Sequence, residues 1–211
     1  MSRREEIIRL LEDNNVSALQ ELGRRDSGIF RTLISLAYDK QQILSWRAIE
    51  AVGFIAGQIA ETNYDKIRNL AQRLLWMLRE ESGNNPWSAP DMLGEIVRNA
   101  PERFSDIAPI ISSFHEEEIL HTGVLRAMFR IAEVRPSLVA DQVGIAYEYL
   151  NCKDALARAY AALLIGRLKP EGYREALEPL LHDNDEAVLY EDSGFRTCRI
   201  RDLVSEILNN A

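Results

Sequence analysis

Lysine is scarce in this chain. Of 25 basic residues, 21 are arginine and only four are lysine, namely Lys40, Lys66, Lys153 and Lys169. Arginine makes planar, bidentate pairs, whereas lysine is a hydrated point charge. So lopsided a ratio is consistent with many cations held in fixed pairs, and equally with genomic base composition. Cysteine is scarcer still: two in 211 residues exclude a disulfide scaffold and point to a reducing compartment. Three histidines leave little material for acid–base catalysis. No run approaches the roughly 18 apolar residues of a membrane helix. The opening Met-Ser-Arg-Arg-Glu-Glu sets charges around the first apolar stretch, which is unlike a secretory signal. Together these absences predict a cytoplasmic protein that avoids the membrane. The net charge of −8 argues against nucleic acid as a partner, because phosphate binding needs clustered positive charge.

What is present is helical periodicity. Ile43, Ala48, Val52, Ile55 and Ile59 form one stripe, and Leu70, Leu74, Leu75 and Leu78 another, at three- and four-residue spacing. Period-two alternation is almost absent, so the chain reads as all-α. Pro101, Pro136 and Pro170 stand where a first helical turn would tolerate them.

One segment type recurs, in copies that begin at Trp46, Trp87, Thr122, Leu156 and Cys198. Aligned, they share an isoleucine column of Ile55, Ile96, Ile131, Ile165 and Ile207. Seven residues earlier stand Ala48, Ala89, Val124, Arg158 and Ile200, with Arg158 the one polar member. Positions i, i+4 and i+7 share a helix face, so each copy buries a stripe of the same shape. An amphipathic segment precedes each copy. The unit is therefore a helix hairpin, and neighbouring hairpins must stack to bury both faces. The expected fold is a right-handed α-solenoid of about six such hairpins in one elongated domain over 1–211. The repeats fall near 1–25, 26–62, 63–100, 101–135, 136–169 and 170–211, with second helices lining the concave side.

Ser45-Trp46-Arg47-Ala48-Ile49-Glu50-Ala51-Val52-Gly53-Phe54-Ile55 resembles a HEAT repeat, especially the short bacterial HEAT-like repeats of the phycocyanobilin-lyase type. Trp87 to Ile96 is a second copy; it lacks the usual arginine, and Pro90 stands in its first helical turn. Leu180-Leu181-His182-Asp183-Asn184-Asp185-Glu186-Ala187-Val188 resembles the turn inside such a repeat. The resemblance is one of architecture: Gly53 and Gly94 are read as sites of close helix approach and Ala51 as keeping the seam narrow. It implies a scaffold. It also implies an alternative function, a bilin-lyase-like enzyme or lyase subunit acting on a tetrapyrrole, for which Cys198 is a weak candidate.

Chemistry-bearing motifs are few. His115-Glu116-Glu117-Glu118-Ile119-Leu120-His121 has metal-ligand residue types, but not the i, i+4 histidine spacing that one helix face requires. No metal is expected there, and the acids are read as favouring the N-terminus of the following helix. Cys152 and Cys198 lack C-x-x-C spacing and read as structural thiols. There is no glycine-rich phosphate loop and no nucleophile elbow, so no cofactor and no catalytic set is expected.

The columns beside the buried stripe should face outward. One holds Glu50, Asp91, Arg126, Tyr160 and Asp202; a turn later stand Phe54, Glu95, Arg130, Leu164 and Glu206. Asp91 would then face Arg126, and Glu95 would face Arg130. With Trp46, Arg47 and Trp87 at the edge, this gives a mixed-charge, aromatic surface of the kind that carries protein-binding hot spots. The expected binding set is Trp46, Arg47, Glu50, Phe54, Trp87, Asp91, Glu95, Arg126, Arg130 and Tyr160, and the expected partner is another protein. Pairing of an end repeat with its twin, giving a homodimer, is a second arrangement the pattern allows. Two lengthened loops, Ser82–Pro86 and Glu186–Arg196, are candidate binding elements, the latter with a short strand or hairpin at Val188-Leu189-Tyr190.

Overall fold

The computed structural model describes residues 2–26, 28–79 and 87–210. The loop Ser82–Pro86 lies outside them. The chain divides into two compact units, residues 1–105 and 106–211, where the sequence suggested one elongated domain. The division falls inside the hairpin expected at 101–135. Its first arm is short pieces, α7 (Pro101–Phe104), a 3-10 turn and α8 (Ala108–Ser112), and prolines open both α-helical pieces.

In the first unit, α1 (Arg3–Glu12) starts on a capping box. Ser2 Oγ accepts from the Glu5 N–H at 3.2 Å, and Glu5 Oε2 accepts from the Ser2 N–H at 2.8 Å. Asn15 caps α2 (Val16–Arg25). The next hairpins are α3 (Ile29–Leu36) with α4 (Ile43–Ala60) and α5 (Tyr64–Arg79) with α6 (Ala89–Asn99). Helix α4 is the hub, packed on α1, α2, α3, α5 and α6. Its 18 residues, at mean hydropathy 1.2, are long and apolar enough to cross a bilayer, which corrects the expectation that no such stretch exists. Here 67% of it is buried against the neighbouring helices instead.

In the second unit, α8 packs on α9 (His121–Ala132), and α10 (Val143–Tyr149) on α11 (Ala155–Leu168). Helix α11 also meets α9 and α13 (Ile200–Asn209). It ends on Lys169 in the left-handed conformation (φ 48°), just before Pro170. Helix α12 (Tyr173–Leu177) runs into a 3-10 turn. Then comes an antiparallel hairpin, β1 (Glu186–Glu191) and β2 (Gly194–Arg199), with Leu189 opposite Arg196 and Tyr190 opposite Phe195. The strand-forming insertion is thus a hairpin, and it extends to Arg199. Cys198, expected to open the last helix, belongs to β2. The hairpin lies against α11 and α13.

Candidate functional site

Of the ten residues expected on an open face, most are covered within the described residues. Trp46, Asp91, Glu95, Arg126 and Tyr160 are buried, Asp91 completely. Arg47, Glu50, Phe54 and Arg130 are half-buried, and only Trp87, 45% accessible, is exposed. The physical reason is visible at Gly53. A Cβ there would lie 2.6 Å from Glu95 Cβ and 2.7 Å from the Glu95 carbonyl oxygen. Helices α4 and α6 therefore touch backbone to backbone, and the column taken as outward on α6 is the seam itself. Gly53 does permit the close approach read from the sequence.

The residues of this face have structural work in their own unit. Asp91 accepts from Lys40 Nζ, on the α3–α4 loop. Lys40 also lies 5.5 Å from the centre of the Trp46 ring, and its carbonyl accepts from Trp46 Nε1 at 2.8 Å. Arg47 Nη1 donates to the carbonyls of Leu11 and Glu12 at 3.0 and 2.7 Å, closing the C-terminus of α1. Arg130 pairs with Glu133 one turn on, at 2.6 Å. Tyr160 packs near Phe129, ring centres 6.4 Å apart. Trp46 and Trp87 differ accordingly: Trp46 sits inside the first turn of α4, while Trp87 precedes α6.

Arg158, the polar misfit in an apolar column, is buried too. Its Nε donates to Asp183 at 2.7 Å, Nη2 to Asp185 at 2.6 Å and Nη1 to the Cys152 carbonyl at 2.7 Å. The break in the column was the signal for this pair of aspartates, both inside the HEAT-like turn.

Around His121 the second unit gathers polar side chains. His121 Nε2 lies 3.2 Å from Asp154 Oδ2, to which Thr122 also donates at 2.7 Å, and Asp154 Oδ1 caps α11 through the Leu156 N–H. Tyr149 stands between His115 and His121, with ring centres 6.2 and 5.2 Å away. Burial pulls the Asp154 carboxyl up, but the bonds from Thr122, His121, Leu156 and Ala157 outweigh it and the net shift is down. The acids Glu116, Glu117 and Glu118 do not sit in the first turn of α9, contrary to expectation. They lie in the turns before it, and Leu120 is the N-cap. Burial pushes the Cys152 and Cys198 thiols up, so less thiolate is present at neutral pH.

In the second unit a cleft of about 310 Å³ opens between α11 and α13, walled by the hairpin. Phe129, Leu163, Leu203 and Ile207 supply its apolar lining. Arg167, Lys169, Glu191, Arg196, Glu206 and Asn210 supply its polar one. Gly166 makes the close approach beneath it, where a Cβ would lie 2.2 Å from Ile207 Cγ2. Arg196 spans Glu191 at 3.1 Å and Glu206 at 2.5 Å. The Glu206 bond, against the opposing pull of burial and with help from Glu191, raises the Arg196 pKa. Of these residues the sequence reading placed only Glu206 outward. The signal for the others was the insertion that delivers Glu191 and Arg196.

No protein-family model matches the chain, and no curated protein matches its sequence. Solved structures do resemble it. Two crystal structures of engineered proteins from the Northeast Structural Genomics Consortium align over 100% of this chain. One has 16% identity, a TM-score of 0.59 and 98% of its own length covered; the other has 17%, 0.57 and 96%. A computationally designed armadillo repeat protein for modular peptide recognition has 16% identity and a TM-score of 0.49, with 97% of this chain and 98% of that one covered. The fold is an all-α solenoid of repeated helix hairpins, carrying one small antiparallel hairpin among the described residues.

Proposed function

We propose that the protein is a non-catalytic, cytoplasmic scaffold that binds another protein through the second unit. The observation that carries this reading is the cleft between α11 and α13. It joins an apolar floor to a charged rim, one side of which is fixed by the Arg196–Glu191 and Arg196–Glu206 ion pairs. An apolar anchor site ringed by fixed polar groups is the anatomy of a protein-binding hot spot. The bilin-lyase alternative, drawn as cysteine chemistry, is weakened by the raised thiols, because the thiolate is the nucleophile.

A photo-crosslinking residue at Asn210, which is exposed and lines the cleft, tests this reading in native extract. The expected result is one partner captured from Asn210 and not from Ile119, an exposed position in the same unit. Capture of the same proteins from both positions, or of none from Asn210, would sink it.

A further inference from the structure

The cleft has an apolar floor and a rim whose charges are unevenly engaged. Both carboxylates, Glu191 and Glu206, are already bonded to Arg196. Arg167 points its donors at uncharged acceptors, the carbonyls of Ala132 at 3.3 Å and Glu133 at 2.7 Å, which end α9. The Lys169 side chain makes no hydrogen bond or ion pair among the described residues and is exposed at the rim. Two cations on the α11 edge therefore keep their charge unmatched by carboxylate. The C-termini of α9, on which Arg167 sits, α11 and α13 offset this with partial charges of about −0.5 each, so about −1.5 against two cations, which leaves that edge weakly positive. Unpaired positive charge beside an apolar floor favours a ligand that brings both a carboxylate and an apolar side chain. At about 310 Å³ the cleft is at the small end of ligand pockets, a size suited to one or two side chains of a longer chain.

We propose that the cleft takes an extended acidic–aliphatic segment of the partner protein, with an aliphatic side chain on the Phe129–Leu163–Leu203–Ile207 floor and a carboxylate at the Arg167–Lys169 edge. This rests on the protein-binding reading above and names the class of segment it binds. Arg196 is the positioning residue: by holding Glu191 and Glu206 it turns both carboxylates toward itself and lessens their repulsion of the incoming one. Arg167, anchored on the end of α9, is the fixed half of the receptor, and Lys169 is the adaptable half.

Fluorescence anisotropy with three short, C-terminally amidated, fluorescein-labelled peptides tests this on the full chain. One alternates leucine and glutamate, one has lysine for each glutamate, and one has serine for each leucine. The leucine–glutamate peptide should bind at least about fivefold tighter than either control, and weaken as salt rises. Lys169→Glu should weaken it about tenfold and move the preference toward the lysine peptide. Lys169→Asn should weaken it less; asparagine tolerates the left-handed backbone at this position, so this variant guards against a folding artefact. Lys153→Glu, an exposed change elsewhere in the same unit, should leave binding unchanged. The proposal is overturned if the glutamate and lysine peptides bind alike, if none binds, or if Lys169→Glu binds as wild type does. Should a partner crosslink from Asn210 while these peptides fail, the segment class is wrong and the scaffold reading stands. Should Asn210 capture nothing while the leucine–glutamate peptide binds with the stated preference, the cleft chemistry stands and the cellular role falls.

Discussion

Two helix seams, α4–α6 in the first unit and α11–α13 in the second, use the same device and end differently. Each has a glycine on its earlier second helix, Gly53 or Gly166, with no room for a Cβ. At Gly53 the obstacle is the backbone carbonyl and Cβ of Glu95, and α6 is buried along most of its length. At Gly166 the obstacle is a side-chain methyl of Ile207. There the hairpin stands beside the seam, and a cleft with a charged rim remains open. Close packing is what the repeat repeats. Whether a seam also offers a surface depends on what is inserted next to it.

The largest effect should come from filling the tighter seam. Gly53→Ala forces a Cβ against a backbone oxygen and should destabilise by roughly 2–3 kcal/mol even after the helix-propensity gain of alanine. Gly166→Ala meets a side chain and should cost about 1 kcal/mol. Equal midpoints for the two variants in urea unfolding would break the comparison. Arg158→Ala should fall between them, at about 2 kcal/mol, because it takes the guanidinium from the partly buried Asp183 and from two carbonyls. If thermal unfolding shifts no more than for a surface arginine such as Arg9, the clamp is decorative.

Acid unfolding probes the same unit. The folded-state pKa of Asp154 is depressed, so its contribution is present above the unfolded carboxyl value, near 3.8. It is lost as pH falls through the lower folded value. Asp154→Asn should therefore flatten the acid limb of the stability curve below about pH 4 and lower the plateau above it. An unchanged acid limb would remove Asp154 from the list of contributors. The smallest effect should be Arg47→Lys, about 0.5 kcal/mol, since an ammonium cannot span the α1 end as the guanidinium does.

The arginine excess shows where sequence reasoning stopped short. Fixed pairs were expected, and Arg158 and Arg196 make them. A second use was not expected. Arg47 and Arg167 reach back to the terminal carbonyls of α1 and α9, and Arg174 reaches forward to one of α13. A planar fork with several donors suits the orphan carbonyls of a helix end, and its charge suits the negative end of the dipole. No periodicity reveals this, because the acceptor is backbone and carries no sequence signature. The binding face failed for a related reason. Helical periodicity tells which residues share a face, but not how near the next helix stands, so Asp91 and Glu95 were legible as a column and illegible as a seam.

By itself the sequence determined the helical period, the hairpin unit, the close approach at Gly53 and the inserted hairpin near Val188. These are local, set by residue spacing and backbone preference. Tertiary structure alone decided that Asp91 meets Lys40, that Arg158 meets Asp183 and Asp185, and that Arg196 closes the rim of a cleft with Glu206. Those pairings join residues 51, 25, 27 and 10 positions apart. Their partners are fixed by how neighbouring elements dock, a geometry that spacing along the chain does not encode.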